Sequence, residues 1–200
     1  ADISGNAIPR PEADLARRAK CRSIANTFPS LTNIGNLEKK ITYNQYDEKG
    51  NVLQYTIESG ISVAIVWGYN KTLPIAKIEN VTYNTIPTET IANLQSLSND
   101  DNDNCMSGNC TEQLLRNALN VFRNTVQNAF ITTYTYNPLT GVTSVTDPKG
   151  VASYYEYDAA GRKIAEHDGN GNSSTWRYDE QGRLREHTDL GGHRTEYTYN

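Results

Sequence analysis

Aromatic and polar positions alternate along the last third of the chain and recur at a fixed interval. Tyr136, Tyr157, Tyr178 and Tyr199 stand 21 residues apart, each followed by Asn or Asp, and a second aromatic two places earlier (Tyr134, Tyr155, Trp176, Tyr197) keeps the same interval. Asp147, Asp168 and Asp189 keep it too, as do Gly150, Gly171 and Gly192. Five columns in register identify a repeat protein. Aromatic-x-aromatic puts two rings on one face of an extended strand, because strand side chains alternate. Asp158-Ala-Ala-Gly161 and Asp179-Glu-Gln-Gly182 read as tight turns, with Asp bonding backbone amides and Gly taking a positive φ. Second strands follow over 162–167 and 183–188, and second turns begin at Asp168 and Asp189. One period is therefore a hairpin of two short strands and two turns, marginal alone and stabilised by stacking on its neighbours. The fold class predicted is all-β: a strip of antiparallel β-hairpin repeats.

Weaker copies occur earlier. Tyr46-Asp47-Glu-Lys-Gly50 carries the same turn, and Trp67-Gly-Tyr69-Asn70 reads as the aromatic-x-Tyr-Asn element, with Asn80 eleven residues beyond Tyr69. The array is expected over 41–84, interrupted over 85–130, and resumed over 131–200, where Tyr136-Asn-Pro-Leu-Thr-Gly141 carries one extra turn residue. The interruption changes to helical spacing. Thr111 reads as an N-cap before a stripe of Leu115, Leu119, Phe122 and Val126, and Thr88 as the cap of a shorter helix bearing Ile91, Leu94 and Leu97. An α-helical hairpin inserted against the sheet is predicted. Residues 1–40 carry no repeat; 11–22 reads as a short basic helix starting at Pro11, with Arg17, Arg18, Lys20 and Arg22 on a solvated face, the favoured reading, or touching phosphate or an acidic partner.

Composition agrees with a surface-rich β architecture. Only 36% of residues are hydrophobic, charged residues are 21%, and mean hydropathy is -0.67. Asn, Thr, Ser and Tyr fill the difference, which suits strands and turns. A net charge of -4 argues against a general nucleic-acid binder, which needs a basic stripe. The longest apolar run, Ile61 to Trp67, is far too short for a membrane-spanning helix, so no membrane insertion is expected. The chain opens on Ala1 and closes on Asn200 in mid-pattern, as a piece of a longer protein would.

Candidate chemistry is sparse. Asp101, Asp103, Cys105 and Glu112 occupy the first, third, fifth and twelfth places of an EF-hand-like register, but Met106 stands where the turn needs Gly and Cys is a poor Ca²⁺ ligand. A weak calcium site at Asp101, Asp103 and Glu112 is set against a solvated capping loop, which the residues favour. Cys105 and Cys110 read either as a small disulfide or as reduced thiols, with zinc disfavoured because no His is near. Cys21 reads as a small buried or free thiol. His167 and His187 are not a whole period apart and so not equivalent. No Ser or Cys has a nucleophile motif, and Asp147, Asp168 and Asp189 read as turn residues. No catalytic residue and no cofactor are expected.

The stretches Tyr157-Asp158-Ala-Ala-Gly161-Arg162, His167-Asp168-Gly-Asn-Gly171 and Trp176-Arg-Tyr178-Asp179-Glu-Gln-Gly182-Arg183-Leu184 resemble the RHS/YD-repeat family, and 133–150 looks most like its Bacteroidetes-type members. The resemblance is clear over 131–200 and fainter over 41–84. It implies a long β-strip spiralling into a hollow shell, which encloses a toxic C-terminal domain in bacterial toxins and is part of the ectodomain in animal adhesion receptors. It also implies a secreted or cell-surface bacterial protein whose partners are neighbouring repeats of the same or identical chains. Two departures stand out: Lys163 replaces a usually apolar residue, and three to five repeats are too few to close a shell. Asp147-Pro148-Lys149-Gly150 has a superficial likeness to part of the self-cleavage core motif of toxin members, but reads as the repeat turn. The function expected is a non-catalytic structural wall. The alternatives are a glycan-binding adhesion module, with the paired rings as a carbohydrate platform, or a surface filament joined through open strand edges.

Overall fold

The computed structural model describes residues 40–103, 105 and 108–200, so the expected helix over 11–22 and Cys21 lie outside the described residues. Eleven strands follow one another: β1 (Ile41–Tyr46), β2 (Val52–Ile57), β3 (Ser62–Gly68), β4 (Leu73–Glu79), β5 (Phe130–Asn137), β6 (Gly141–Thr146), β7 (Ala152–Tyr157), β8 (Lys163–His167), β9 (Ser173–Tyr178), β10 (Leu184–Thr188) and β11 (Arg194–Glu196). Helices α1 (Thr88–Asp100) and α2 (Thr111–Thr125) stand between β4 and β5. The strands form one sheet in strict sequence order, every neighbour antiparallel. The helical pair does not interrupt it. β4 pairs directly with β5, Ile78 opposite Ile131 and Ala76 opposite Thr133. Among the described residues no helix is long and apolar enough to cross a membrane.

Six turns share one chemistry. Asp47, Asp147, Asp158, Asp168, Asp179 and Asp189 each accept, on Oδ1, the N–H groups two and four residues ahead. The glycine three places on donates its N–H to the same Asp carbonyl, as Gly161 does to Asp158. This is a three-residue hairpin loop whose last residue is left-handed. Gly161 and Gly182, with φ of 75° and 81°, meet that requirement without a Cβ penalty. Turns at both margins are thus equivalent, and each period holds two strand-and-turn units.

The two units differ in one respect. Each pairing of an odd strand with the following even strand contains a bulge near the Tyr-Asp end: Thr135 and Tyr136 oppose Ser144 and Val142, Glu156 and Tyr157 oppose Ala165 and Lys163, and Arg177 and Tyr178 oppose Glu186 and Leu184. The extra residues, Thr143, Ile164 and Arg185, repeat at the period. Even-to-odd pairings are regular. A bulge adds local right-handed twist, and here it recurs with the period.

The helices cover one face of the sheet. Ile91 and Leu94 of α1 and Leu115, Leu119 and Phe122 of α2 are buried with Ala64, Val66, Ile78 and Ile131. Their spacing gives each helix a single apolar stripe. Both helices begin one residue before the sequence suggests. Cys110, not Thr111, caps α2, its Sγ accepting from the Gln113 N–H, because the Thr111 hydroxyl is turned to Asp103. Pro87 takes the cap position of α1 without a side-chain bond, as proline suits a first turn whose N–H groups lack partners.

At Gly68 helix α1 comes close to β3: an added Cβ would lie 2.7 Å from Ile75 Cγ2 and 2.8 Å from Ser98 Cβ. Gly68→Ala should push α1 off the sheet and cost about 1–3 kcal/mol in urea unfolding, as overpacking does elsewhere.

Candidate functional site

The repeat aromatics form a series of clamps. The Tyr157 hydroxyl donates to the Val142 carbonyl, Tyr178 to Lys163 and Tyr199 to Leu184, each acceptor 15 residues back on the preceding even strand. Each of these carbonyls belongs to the residue beside a bulge, where the regular ladder is displaced. A displaced carbonyl needs a donor, and the next aromatic supplies it. Tyr136 does the same for Pro74 of β4, although the helical pair intervenes in sequence. Tyr136, Tyr157 and Tyr178 each pair through the backbone with one neighbouring strand and through the hydroxyl with the other, so each ties three strands.

The earlier repeats carry the same device, shifted from the sequence reading. The Trp67 indole N–H donates to the Val52 carbonyl, also 15 residues back. Trp67, one period after Tyr46, is therefore the equivalent of Tyr136, and Tyr69 is not. Tyr69 has a separate task. Its hydroxyl donates to Asp101 Oδ2 at 2.6 Å and accepts the Tyr136 N–H at 2.9 Å, and the two rings meet edge to face.

Arginine closes the repeat logic. Arg162 pairs with Asp158 at 2.6 Å and lies 4.5 Å over the Tyr178 ring; Arg183 pairs with Asp179 at 2.9 Å and lies 4.9 Å over Tyr199. Each guanidinium links a turn to the clamp of the next repeat. Sequence reading missed this role, although Arg162 and Arg183 themselves stand one period apart. Hydrogen bonds from the side chains of Arg162 and Asn172 hold the Asp158 and Asp168 carboxyls below the usual range.

The second aromatic column is packed against its cross-strand neighbours. Trp176 stacks on His187 with centroids 4.9 Å apart, and Lys163 Nζ lies 4.1 Å from the Trp176 centroid and 5.6 Å from that of Tyr155. Lys163 also pairs with Glu166. Its ammonium lies over two rings and against Glu166, which is how a lysine fits a usually apolar place. Tyr134 leans on Tyr136, with centroids 6.4 Å apart. Tyr197 and Gly192 lie toward the exposed end of the sheet at β11. His167 joins Glu156 and Ser173, both at 2.7 Å, in a polar rung across β7, β8 and β9.

Where the helices meet the sheet, charge is buried. Glu112 is 1% exposed and Arg116 6%. Glu112 Oε1 pairs with Arg116 Nη1 at 2.7 Å and accepts from the hydroxyls of Thr135 and Thr143, while Oε2 accepts the Cys105 N–H. Arg116 donates to the Cys105 carbonyl and lies 5.4 Å over Tyr154. A cavity of about 530 Å³ opens beside them, lined by Cys105, Glu112, Arg116, Thr143, Tyr154 and Glu156 among others. At the far end of α2, Arg123 reaches Thr133 and the carbonyls of Ile131 and Thr146.

The proposed calcium ligands are turned to different partners. Asp101 takes Tyr69, Asp103 accepts from the Thr111 amide and hydroxyl and the Glu112 amide, and Glu112 holds Arg116. Asp103 instead sits with sulfur: its carboxylate and the Sγ atoms of Cys105 and Cys110 lie within 4.8 Å of one another. The two sulfurs are joined as a disulfide, which removes the thiolates a metal would need.

Asp101 is 6% exposed, and its Oδ1 has no hydrogen-bond partner among the described residues. Burial pushes its carboxyl up to about 6; the Glu112 and Asp103 charges add to this, and the Tyr69 hydroxyl opposes it. A raised carboxyl binds its proton more tightly in the folded state, so this group's contribution to stability grows as pH falls from about 6 to 4. Asp101→Asn should therefore raise stability at pH 7 by roughly 1–2 kcal/mol and have a smaller effect at pH 4.5, read from urea unfolding at both values.

The family model for the RHS repeat matches residues 136–173 and 157–194. Similar solved structures include TcdB2-TccC3 without its hypervariable C-terminal region, at 15% identity and TM-score 0.34, covering 80% of this chain and 9% of that one. TcdB2-TccC3 itself is 16% identical with TM-score 0.22, covering 91% and 13%. The Photorhabdus luminescens Tc holotoxin pore with a TccC3 mutation is 13% identical with TM-score 0.23, covering 92% and 12%. The chain spans 9–13% of the length of these solved chains. No curated protein matches it. Residues 136–194, with their clamps and aspartate turns, are RHS repeats by the family model that matches them.

Proposed function

We propose that this chain is a non-catalytic section of the wall of a larger extracellular β-shell, in which successive repeats enclose a toxic cargo domain. The observation that carries this reading is the unbroken eleven-strand sheet, which passes the helical insertion without losing a strand pairing. A scaffold must extend indefinitely by adding identical units, and the clamp supplies the rule: each repeat caps the displaced carbonyl of the one before it. Secretion or surface display by a bacterium is part of the same proposal, resting on the family. The partners it implies are neighbouring repeats.

The carbohydrate reading has less support. A sugar platform needs an open ring face, and Trp176 lies between Lys163 and His187 from the strands on either side. Low-resolution electron microscopy of the full-length gene product tests the wall directly. A closed hollow particle is the expected result, and open strips or filaments would overturn it. Trp176→Ala should lower stability by about 2 kcal/mol through lost packing on both sides; unchanged stability with lost binding on a glycan array would favour the platform instead.

A further inference from the structure

We propose that the Cys105–Cys110 disulfide is a reducible clasp that fastens the helical pair to the sheet, and that thiol–disulfide exchange with a dithiol reductant releases it. Cys105 is joined to the sheet's buried charge by its own backbone. Its N–H donates to Glu112 Oε2 and its carbonyl accepts from Arg116 Nη2. Those two side chains are one of the links between α2 and the sheet, through Thr135, Thr143 and the Tyr154 ring. Cys110 fixes the other end of the bond, because it is the N-cap of α2. The disulfide therefore holds a loop residue over an ion pair that is almost wholly buried. Without that cover the pair is open to water through the adjoining cavity, and a buried ion pair depends on every hydrogen bond that surrounds it.

The chemistry has a direction. Cys105 is half-buried and lines the cavity, and an incoming thiolate approaches the disulfide from that side. The attacking sulfur bonds to Cys105 Sγ as the Cys105–Cys110 bond breaks. Cys110 leaves as a thiolate at the N-terminus of α2, where the amides and the helix dipole favour negative charge. The reductant's second thiol then displaces Cys105. Two electrons pass to the protein, which gains two thiols, and the reductant departs as a disulfide. Asp103, close to both sulfurs and held by Thr111 and Glu112, repels the two thiolates once formed and favours the opening of the loop.

Hydrogen exchange on the 200-residue chain, oxidised and after dithiothreitol, tests the clasp, with alkylation mapped at Cys105 and Cys110 by mass spectrometry. Reduction should speed exchange by about ten-fold or more in 111–116 and in peptides holding Thr135 and Thr143, while β9 and β10 keep their rates. The Cys105→Ser, Cys110→Ser double variant should match the reduced wild type without any reductant. Three results would each overturn the proposal: both cysteines alkylated in the oxidised protein, complete reduction with unchanged exchange, or acceleration spread equally through β9 and β10. If the double variant does not fold, the reduced wild type alone decides between these outcomes.

Discussion

A carbonyl displaced from its ladder by a bulge must find another donor, and the repeat is arranged to meet that need. In each period one even strand carries an extra residue, and the carbonyl beside it accepts the hydroxyl of the aromatic 15 residues later. The bulge supplies twist and the ring supplies the missing bond. Neither is stable without the other: a bulge alone leaves an unsatisfied acceptor, and a tyrosine in a regular ladder has no acceptor to reach. Arg162 and Arg183, which follow two of the Tyr-Asp turns, then stack on the next clamps, so turn, bulge and ring of these repeats are joined. This gives a repeat stability through its neighbours, as quasi-one-dimensional folds require.

The helical pair follows a different logic. It is attached to the sheet by an apolar stripe on each helix and by three polar anchors: Asp101 on Tyr69, Glu112 with Arg116 on the threonines of β5 and β6, and Arg123 on β5 and β6. Buried charges of this kind hold one geometry and no other, and they are sensitive to pH and to the groups that cover them. The repeats, by contrast, keep their charges in half-buried or exposed pairs on turns and strands. The sheet runs on beneath this separately anchored insertion, because β4 pairs directly with β5.

Much of this was legible in the sequence. The period, the two turns and the helical character of the insertion follow from spacing alone, since the alternation of Tyr134 with Tyr136 and the stripe of Leu115, Leu119 and Phe122 require strand and helix. The clamp was not legible, because a hydroxyl reaching a backbone carbonyl on the preceding strand leaves no mark on the acceptor: Val142, Lys163 and Leu184 share no side-chain chemistry. The degenerate repeat was misread for a related reason. Tyr69 precedes an asparagine and looks like the clamp, but the interval from Tyr46 selects Trp67, whose indole N–H serves where a phenol was expected. The acidic loop left two readings open, a weak calcium site and the favoured capping loop. Asp101, Asp103 and Glu112 are spaced as calcium ligands, yet a helix cap, a buried tyrosine and a buried arginine have divided them.

The clamp is tested most directly by comparing Tyr157→Phe with Tyr134→Phe in urea unfolding. Tyr157 donates to the Val142 carbonyl at the bulge, whereas the Tyr134 hydroxyl has no hydrogen-bond partner among the described residues. Loss of the clamp hydroxyl should cost about 1–2 kcal/mol and the other substitution nearly nothing, since an acceptor left unsatisfied carries its desolvation penalty. Equal stabilities for the two variants would contradict the account, and would leave ring packing alone to hold the strip together.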